Sequence, residues 1–281
     1  MKCCPIADSH NDFLTNNSCN LELLNNEFEK NNVVLCNAIL FSNADDPLNI
    51  RKSKKLKNKI LPYENLTKSC IFSFENIDFI RNDITFMLEF PAFSCSLTWN
   101  ADNKYAGGAY GFSGLTNKGK TLIKELNNHN ILIDTAHLNR RSFWDVVNTQ
   151  SRPIFNSHTC ISPFKEHRRN IDVEQIRVIC ESNGFLGITF VRDFFTNKKK
   201  AKPIEIFYMI DSIVQVFGVD NVGFGSDFNG TTDLPKKLKS YNDFGRLYKC
   251  FASYGYRKDE IEQIFYKNFL NFVKRQQTNC F

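Results

Sequence analysis

Eight short apolar runs recur along the chain, and longer segments with a helical pattern separate most of them. Near-continuous apolar runs of this length suit strands that are buried on both faces, as in a parallel sheet. The predicted strands cover residues 5–10, 33–41, 70–74, 92–99, 131–134, 153–158, 185–191 and 222–227. Their number and spacing indicate an α/β protein.

Apolar residues recur at helical spacing between and after these strands. The clearest predicted helices cover residues 116–128, 142–148, 172–183, 203–217, 241–253 and 258–274. The third of them opens with Asp172, an acidic residue suited to an N-cap, and Gly184 is placed to act as its C-cap. The segment 45–68, after the second strand, is polar and has only a short helical pattern.

Strands that alternate with helices predict either an α/β barrel or a doubly wound sheet. The chain has 281 residues, 42% of them hydrophobic, which is enough for a substantial core. No internal repeat, linker or low-complexity insert divides it. We therefore expect one domain over residues 1–281, with a (β/α)₈ TIM barrel as the favoured fold.

Charge does not identify a macromolecular partner. The net charge of +6 is mildly basic. The densest cationic run, residues 51–59, contains no aromatic residue. We interpret it as a solvated loop or helix face, because a nucleic-acid interface needs a basic surface together with a recognisable motif. Neither nucleic acid nor a membrane is expected as a partner.

The ten cysteines are scattered, and no CxxC pair is present, so neither a disulfide framework nor a structural zinc ribbon is expected. The first residues lack the apolar region of a signal peptide. No run of about 18 apolar residues exists that could form a transmembrane helix. A reducing cytoplasm fits these features best.

Polar side chains gather where the predicted strands end. They are His10, Asp12, Glu75, His137, His158 and Asp227. Strand C-terminal ends meet at one mouth of a barrel, where active sites lie. Imidazole and carboxylate groups that converge there form a ligand set suited to zinc and similar metals.

Each of these residues also has a structural interpretation. A histidine at a strand end is more often a hydrogen-bonded structural residue than a ligand. Glu75 alone could be a helix-cap partner, and Asp227 alone could cap the turn before Gly230. The joint pattern favours the metal site, because three of the five histidines lie at strand ends and only His129 lies outside every motif.

A series of short motifs extends along nearly the whole chain. They are Asp8-Ser-His-Asn-Asp12, Gly114-Leu-Thr-Asn-Lys-Gly119, Asp134-Thr-Ala-His137, Asn156-Ser-His158, His167-Arg-Arg-Asn170 with Asp172, Gly225-Ser-Asp-Phe-Asn-Gly230 and Lys267-Asn-Phe269. Together they resemble the membrane (renal) dipeptidase family, the M19 peptidases of the amidohydrolase superfamily.

The resemblance implies a TIM barrel of the metallo-dependent hydrolase type with two bound zinc ions. By it, His10 and Asp12 bind the first metal, His137 and His158 bind the second, and Glu75 bridges the two. The sequence Phe74-Glu-Asn-Ile lacks the glycines that usually follow the bridging glutamate.

The resemblance also implies roles in substrate handling. Arg169 would hold the C-terminal carboxylate of the substrate, a task that suits a guanidinium fork. Asp227 would move a proton between the water and the leaving amine, because an amide nitrogen leaves only when it is protonated. The structural alternative for Arg169 is a surface ion pair, although its neighbour Arg168 is better suited to the surface.

Three departures from the family pattern bear on specificity. Trp99 stands where mammalian members carry a substrate-contacting histidine, and it is expected to pack in the interior or to line an apolar substrate wall. Asn100 is a candidate replacement donor. Asn229 stands in place of an aspartate.

Three functions remain open at this point. The first is hydrolysis of a small dipeptide with a free C-terminal carboxylate. The family resemblance also suggests that such an enzyme can form a homodimer. The second is hydrolysis of another small amide or lactam at the same metals. The third is a non-catalytic barrel, against which the intact Asp227 argues.

Overall fold

A computed structural model of the protein describes residues 4–43, 45–79, 84–150 and 152–278. Eight parallel strands close into a barrel in chain order. They are β1 (Ile6–Asn11), β2 (Val33–Phe41), β3 (Cys70–Glu75), β4 (Ala92–Ser96), β5 (Leu132–Asp134), β6 (Phe155–Thr159), β7 (Phe185–Ile188) and β8 (Val222–Phe224). The barrel prediction is confirmed, and the doubly wound sheet is excluded.

The predicted second strand has the observed bounds, whereas several others end earlier than predicted. β4, β7 and β8 stop before the polar residues that the sequence pattern included in them. Beyond β8, for example, Asp227 has a φ of 61°, which takes the backbone out of strand geometry. Asp227 therefore lies on a turn at the mouth rather than within the sheet.

Twelve α-helices lie in the described part of the chain. They are α1 (Leu21–Asn31), α2 (Ile50–Asn58), α3 (Glu64–Ser69), α4 (Thr85–Glu89), α5 (Asn117–Asn128), α6 (Arg140–Val147), α7 (Val173–Glu181), α8 (Arg192–Phe195), α9 (Pro203–Phe217), α10 (Phe244–Ser253), α11 (Lys258–Glu262) and α12 (Asn268–Thr278). A π-helical segment, Gln263–Lys267, joins α11 to α12. The sequence analysis did not predict α1, although Asn20 accepts a hydrogen bond from Leu23 N as its N-cap.

The two ends of α7 test the capping prediction. Asp172 is the N-cap and forms a reciprocal capping box with Gln175, as its position indicated. The prediction of Gly184 as C-cap is wrong. Ser182 is the C-cap, and Asn183 supplies the left-handed residue with a φ of 53°. Asparagine tolerates this conformation better than most residues, so a glycine is not required.

The cationic run in the segment 45–68 forms α2, which Asn49 caps, and α3 follows it. Of the two interpretations of this run, a solvated loop or a helix face, the helix face is therefore correct. Eight cysteines lie in the described part and none of them forms a disulfide; Cys3 and Cys280 lie outside the described residues. Within the described residues, no helix combines the length and the apolar character that crossing a membrane requires.

The N-terminal end of the barrel is closed by α12. Phe269 and Phe272 of this helix pack against rings that point from the strands, namely Phe93, Phe155 and Phe185. Asn268 ties the helix to β8 by donating to Val219 O and Val222 O. Apolar side chains therefore fill this end of the barrel, and the polar groups of the strand ends lie at the opposite, C-terminal end.

Candidate metal centre

The structure brings all six predicted strand-end residues together at the C-terminal mouth. His10 and His158 lie within β1 and β6, and Glu75 is the last residue of β3. His137 and Asp227 lie just beyond their strands, with left-handed φ values of 66° and 61°. Non-glycine residues adopt this conformation rarely and often at functional sites.

The described residues contain three groups whose donor atoms lie within 4.8 Å of one another. The groups are His10–Asp12–Asp227, Glu75–His137–His158 and His10–Asp134–His158. In the third group, Asp134 Oδ1 already accepts hydrogen bonds from the backbone nitrogens of Ala136 and Ser157. Its carboxylate is therefore engaged in holding two strand ends, and the first two groups are the better metal sites.

Glu75 connects the two groups. Its Oε2 lies 3.6 Å from His10 Nε2, and its Oε1 lies 2.7 Å from His137 Nε2. The missing glycines after this residue are also accounted for, because Asn76 itself adopts a φ of 61°. Asn76 N donates to Ser96 Oγ and its Nδ2 donates to Ser42 O, which stabilises the turn.

The three histidines present the same ring nitrogen to the cluster. His137 Nδ1 lies 3.0 Å from Asn100 Oδ1, and Ser157 Oγ lies 3.2 Å from His10 Nδ1 and 2.9 Å from His158 Nδ1. A hydroxyl oxygen has two lone pairs and can accept from both rings. We assign the proton of each ring to Nδ1, which leaves Nε2 free to bind a metal, the usual arrangement for a histidine ligand.

Sequence reasoning did not assign a role to Ser157. Its only signal was its position in the strand-end motif that ends at His158. Because the bonding pattern depends on the packing of β1 against β6 across the barrel, no linear pattern predicts it.

The carboxylates and the imidazoles of the cluster perturb one another. Burial by itself lowers the pKa of His10, but Asp12, Glu75 and Asp227 outweigh it and raise that pKa to about 10. Burial raises the pKa of Glu75, and burial together with the nearby Asp12 raises the pKa of Asp227 well above its ordinary value. The negative charge of these crowded, buried carboxylates is therefore not balanced by the positive groups around them. A divalent cation bound among them would balance it.

His137 and His158 are held neutral. Burial lowers the pKa of each ring well below its ordinary value, and the positive charges of Arg169 and His10 lower it further. Their Nε2 atoms lie 2.9 Å apart. Neutral imidazoles that face each other and a carboxylate oxygen suit a metal such as zinc.

Arg169 is buried beside this cluster, whereas Arg168 is exposed. Its Nη2 donates to His158 Nε2 at 2.8 Å and its Nε has no hydrogen-bond partner. One nitrogen lone pair cannot accept from Arg169 and bind a metal at once, so this guanidinium nitrogen must turn away when His158 binds a metal. Its guanidinium also lies over the Phe194 ring, 5.4 Å from the centroid.

A second polar network supports the metal cluster from behind. The buried Asp8 carboxylate accepts from Ser226 N at 2.8 Å, Ser226 Oγ at 2.5 Å and the Tyr241 hydroxyl at 2.7 Å. The Tyr241 hydroxyl in turn accepts from Asn11 Nδ2, and Asn11 Oδ1 accepts from Asn229 Nδ2. This network joins the loop after β8 to β1, and so it positions Asp227 beside Asp12.

A cavity of about 360 Å³ opens above the cluster. Among its lining residues are the predicted substrate contacts Trp99, Asn100 and Arg169, together with Phe41 and Phe194. The volume is in the range of small-molecule sites. Asn100 is also a predicted substrate donor, and its Oδ1 lies 3.0 Å from His137 Nδ1.

A closed parallel barrel with imidazole and carboxylate groups at its strand ends defines a metal-dependent hydrolase of the amidohydrolase type. Residues 52–280 match the family described as membrane dipeptidase (peptidase family M19). The chain belongs to that family, as its motifs indicated, and it is an enzyme of the metallo-dipeptidase class.

Solved structures agree on the fold. A metallopeptidase from Rhodobacter sphaeroides, liganded with a phosphinate mimic of the dipeptide L-Ala-D-Ala, superposes with a TM-score of 0.85 at 18% identity, over 97% of this chain and 99% of that one. The dipeptidase AC of family M19 superposes with a TM-score of 0.84 at 19% identity, over 98% of this chain and 99% of that one.

A sequence relative is also similar. An uncharacterised Klebsiella pneumoniae protein in the pqqA 5' region is 29% identical over 188 residues, which are 63% of this chain and 69% of that protein.

Proposed function

We propose that the protein hydrolyses the peptide bond of dipeptides with two zinc ions held at the barrel mouth. The observation that carries this proposal is the position of Glu75, whose two carboxylate oxygens face different histidine groups, at His10 and at His137. A carboxylate in this position suits a bridging ligand between two metals.

The donor chemistry fits two divalent ions. His10, Asp12 and Glu75 would hold one of them, and Glu75, His137 and His158 would hold the other. When bound, such ions act as Lewis acids toward a carbonyl oxygen and lower the pKa of a water molecule.

Arg169 is proposed to bind the substrate's C-terminal carboxylate. It is a buried cation at the cavity wall, and its Nε has no partner. Burial lowers the pKa of this guanidinium, while Glu75 and Asp227 oppose the shift, so the charge is retained. A fixed guanidinium can accept a carboxylate in two parallel hydrogen bonds.

Asp227 is proposed to move the proton that the reaction requires. Burial and the nearby Asp12 raise the pKa of this carboxyl well above its ordinary value, which favours its holding a proton. It would take the proton from the attacking water and deliver it to the scissile nitrogen, so that the amine leaves in neutral form. Gly230 N donates to Asp227 O at 3.2 Å, and this backbone hydrogen bond stabilises the turn that carries Asp227.

The test is hydrolysis of a mixed panel of L-L and L-D dipeptides by zinc-loaded enzyme, with Asp227→Asn alongside. We expect turnover by the wild type and a loss of about 10²-fold or more in the variant, the scale of a positioned acid and base. No turnover of any dipeptide by protein with bound zinc would overturn the proposal.

A second candidate is hydrolysis of an acylated amino acid, because its free carboxylate would suit Arg169 equally well. Arg169→Met tests whether this residue binds the substrate carboxylate. A large rise in KM for dipeptides supports carboxylate binding, and an unchanged KM contradicts it.

A further inference from the structure

The barrel order sets the direction of a substrate across the cavity. Strands close in the order β1 to β8, so β2 lies across the mouth from β6. Arg169 belongs to the loop after β6, and Phe41 is the last residue of β2. If a substrate carboxylate binds Arg169, as the proposed function requires, the amino-terminal residue extends toward Phe41.

The far side of the cavity is aromatic. Trp99 and Phe41 pack edge to face, with ring centroids 5.4 Å apart and an interplanar angle of 67°. Both residues line the cavity, and Trp99 remains 44% exposed. A large apolar side chain that stays open in a cavity wall gains free energy when an apolar ligand group covers it.

Trp99 is carried on a loop with a fixed backbone. Asn103 Nδ2 donates to Leu97 O at 2.7 Å and Tyr110 N donates to Asn100 O at 2.8 Å. Gly108 packs so closely that a Cβ at this position would lie 2.5 Å from Trp99 O. The wall is therefore formed before a substrate binds, which lowers the entropic cost of recognition.

Apart from Glu75, which pairs with Phe41 in the sheet, the carboxylates of the cavity lie on another side of it. Asp12 follows β1 and Asp227 follows β8, so these carboxylates occupy the side of the mouth between the aromatic wall and Arg169. The aromatic wall, by contrast, suits the first side chain of a substrate, because covering exposed apolar surface is favourable.

We propose that Trp99 and Phe41 form the subsite for the side chain of the amino-terminal residue, and that the enzyme prefers dipeptides with an apolar side chain there. This inference rests on the proposed dipeptidase function and names its substrate class.

The test compares kcat/KM for Leu-Ala, Phe-Ala, Gly-Ala, Lys-Ala and Ala-Leu in the wild type, Trp99→Ala and Phe41→Ala. We expect the wild type to favour Leu-Ala and Phe-Ala over Gly-Ala and Lys-Ala. Each variant should lose about tenfold on the two apolar substrates, the scale of a lost hydrophobic contact, and the loss in kcat/KM for Gly-Ala should be clearly smaller. Trp99→Phe should restore most of the preference.

Trp144 offers a matched control. It lies on α6, outside the cavity lining, with Arg140 over its ring. Trp144→Phe should leave the preference unchanged. Since the chain has two tryptophans, this variant also makes Trp99 the only one, and its fluorescence should change on adding Leu-Ala more than on adding Gly-Ala at equal saturation.

The outcomes separate this inference from the proposed function. No turnover of any dipeptide by metal-loaded wild type overturns the proposed function. Turnover with a preference that Trp99→Ala and Phe41→Ala leave intact overturns the aromatic subsite alone. A selective loss on Ala-Leu rather than Leu-Ala would also overturn it, because it would place the carboxyl-terminal side chain at the wall.

Discussion

Asn100 Oδ1 lies 3.0 Å from His137 Nδ1, on the side of the ring that faces away from Glu75. His137 has a left-handed φ of 66°, so its backbone is not held in strand geometry. The amide of Asn100 therefore sets both the tautomer and the orientation of the ring. This relationship connects the loop after β4 to the metal centre.

Removing this amide should weaken metal binding. For Asn100→Ala we expect the metal affinity to fall about 10-fold to 100-fold, the usual effect of losing a partner of a ligating histidine. Competition with a chromophoric chelator measures it directly. Asn103→Ala is a control on the same loop, and an equal loss in both variants would attribute the effect to loop structure instead.

Replacing the connecting carboxylate should change the metal content. Glu75→Gln removes the negative charge between His10 and His137 while keeping the side-chain shape. We expect the protein to retain one metal ion or none where the wild type retains two, as elemental analysis after desalting would measure. Glu64→Gln, which changes an exposed side chain on α3, should retain the wild-type content. A Glu75→Gln protein with two tightly bound ions would contradict the bridging role.

The phenol of Tyr241 should contribute to stability through Asp8. Tyr241→Phe removes one donor from a buried carboxylate, and we expect a loss of about 1–3 kcal/mol in the free energy of unfolding. Urea denaturation of the metal-loaded protein provides the measurement. Tyr248→Phe, in a half-buried ring on α10 packed against Phe265, serves as the control. If the two variants lose the same free energy, the hydrogen bond to Asp8 is not the cause.

Closure of the barrel by α12 should make Phe272 a major contributor to stability. Its ring is fully buried against Phe93, Phe155 and Phe185. Phe272→Ala should cost about 3–5 kcal/mol, the range for a large aromatic side chain in a core. Phe112→Ala removes a ring that is 82% exposed and should change the free energy of unfolding little. Comparable losses in thermal or urea unfolding would contradict the closure by α12.

The alternation of apolar runs and helical patterns was enough to predict the eight strands, although it left a barrel and a doubly wound sheet as alternatives. Each strand is buried on both faces, so its apolar residues are consecutive and the pattern is local. The prediction was less accurate at the strand ends, where Asp227 and the residues after β4 leave the sheet on turns. Turn geometry depends on contacts with other loops, which a linear pattern does not contain.

The sequence by itself determined the residue types at the strand ends and, through their motifs, the family. Tertiary structure decided how they are arranged. The oxygens of Glu75 face two histidines because β3 lies between β1 and β5 on the closed barrel, and Ser157 holds two rings because β1 and β6 meet across its interior. The sequence did not indicate that Asn100 Oδ1 would bond to His137, a contact that only the fold provides. Hydrogen-bond partners far apart in the chain are chosen by the closure of the sheet, and only the folded barrel contains that information.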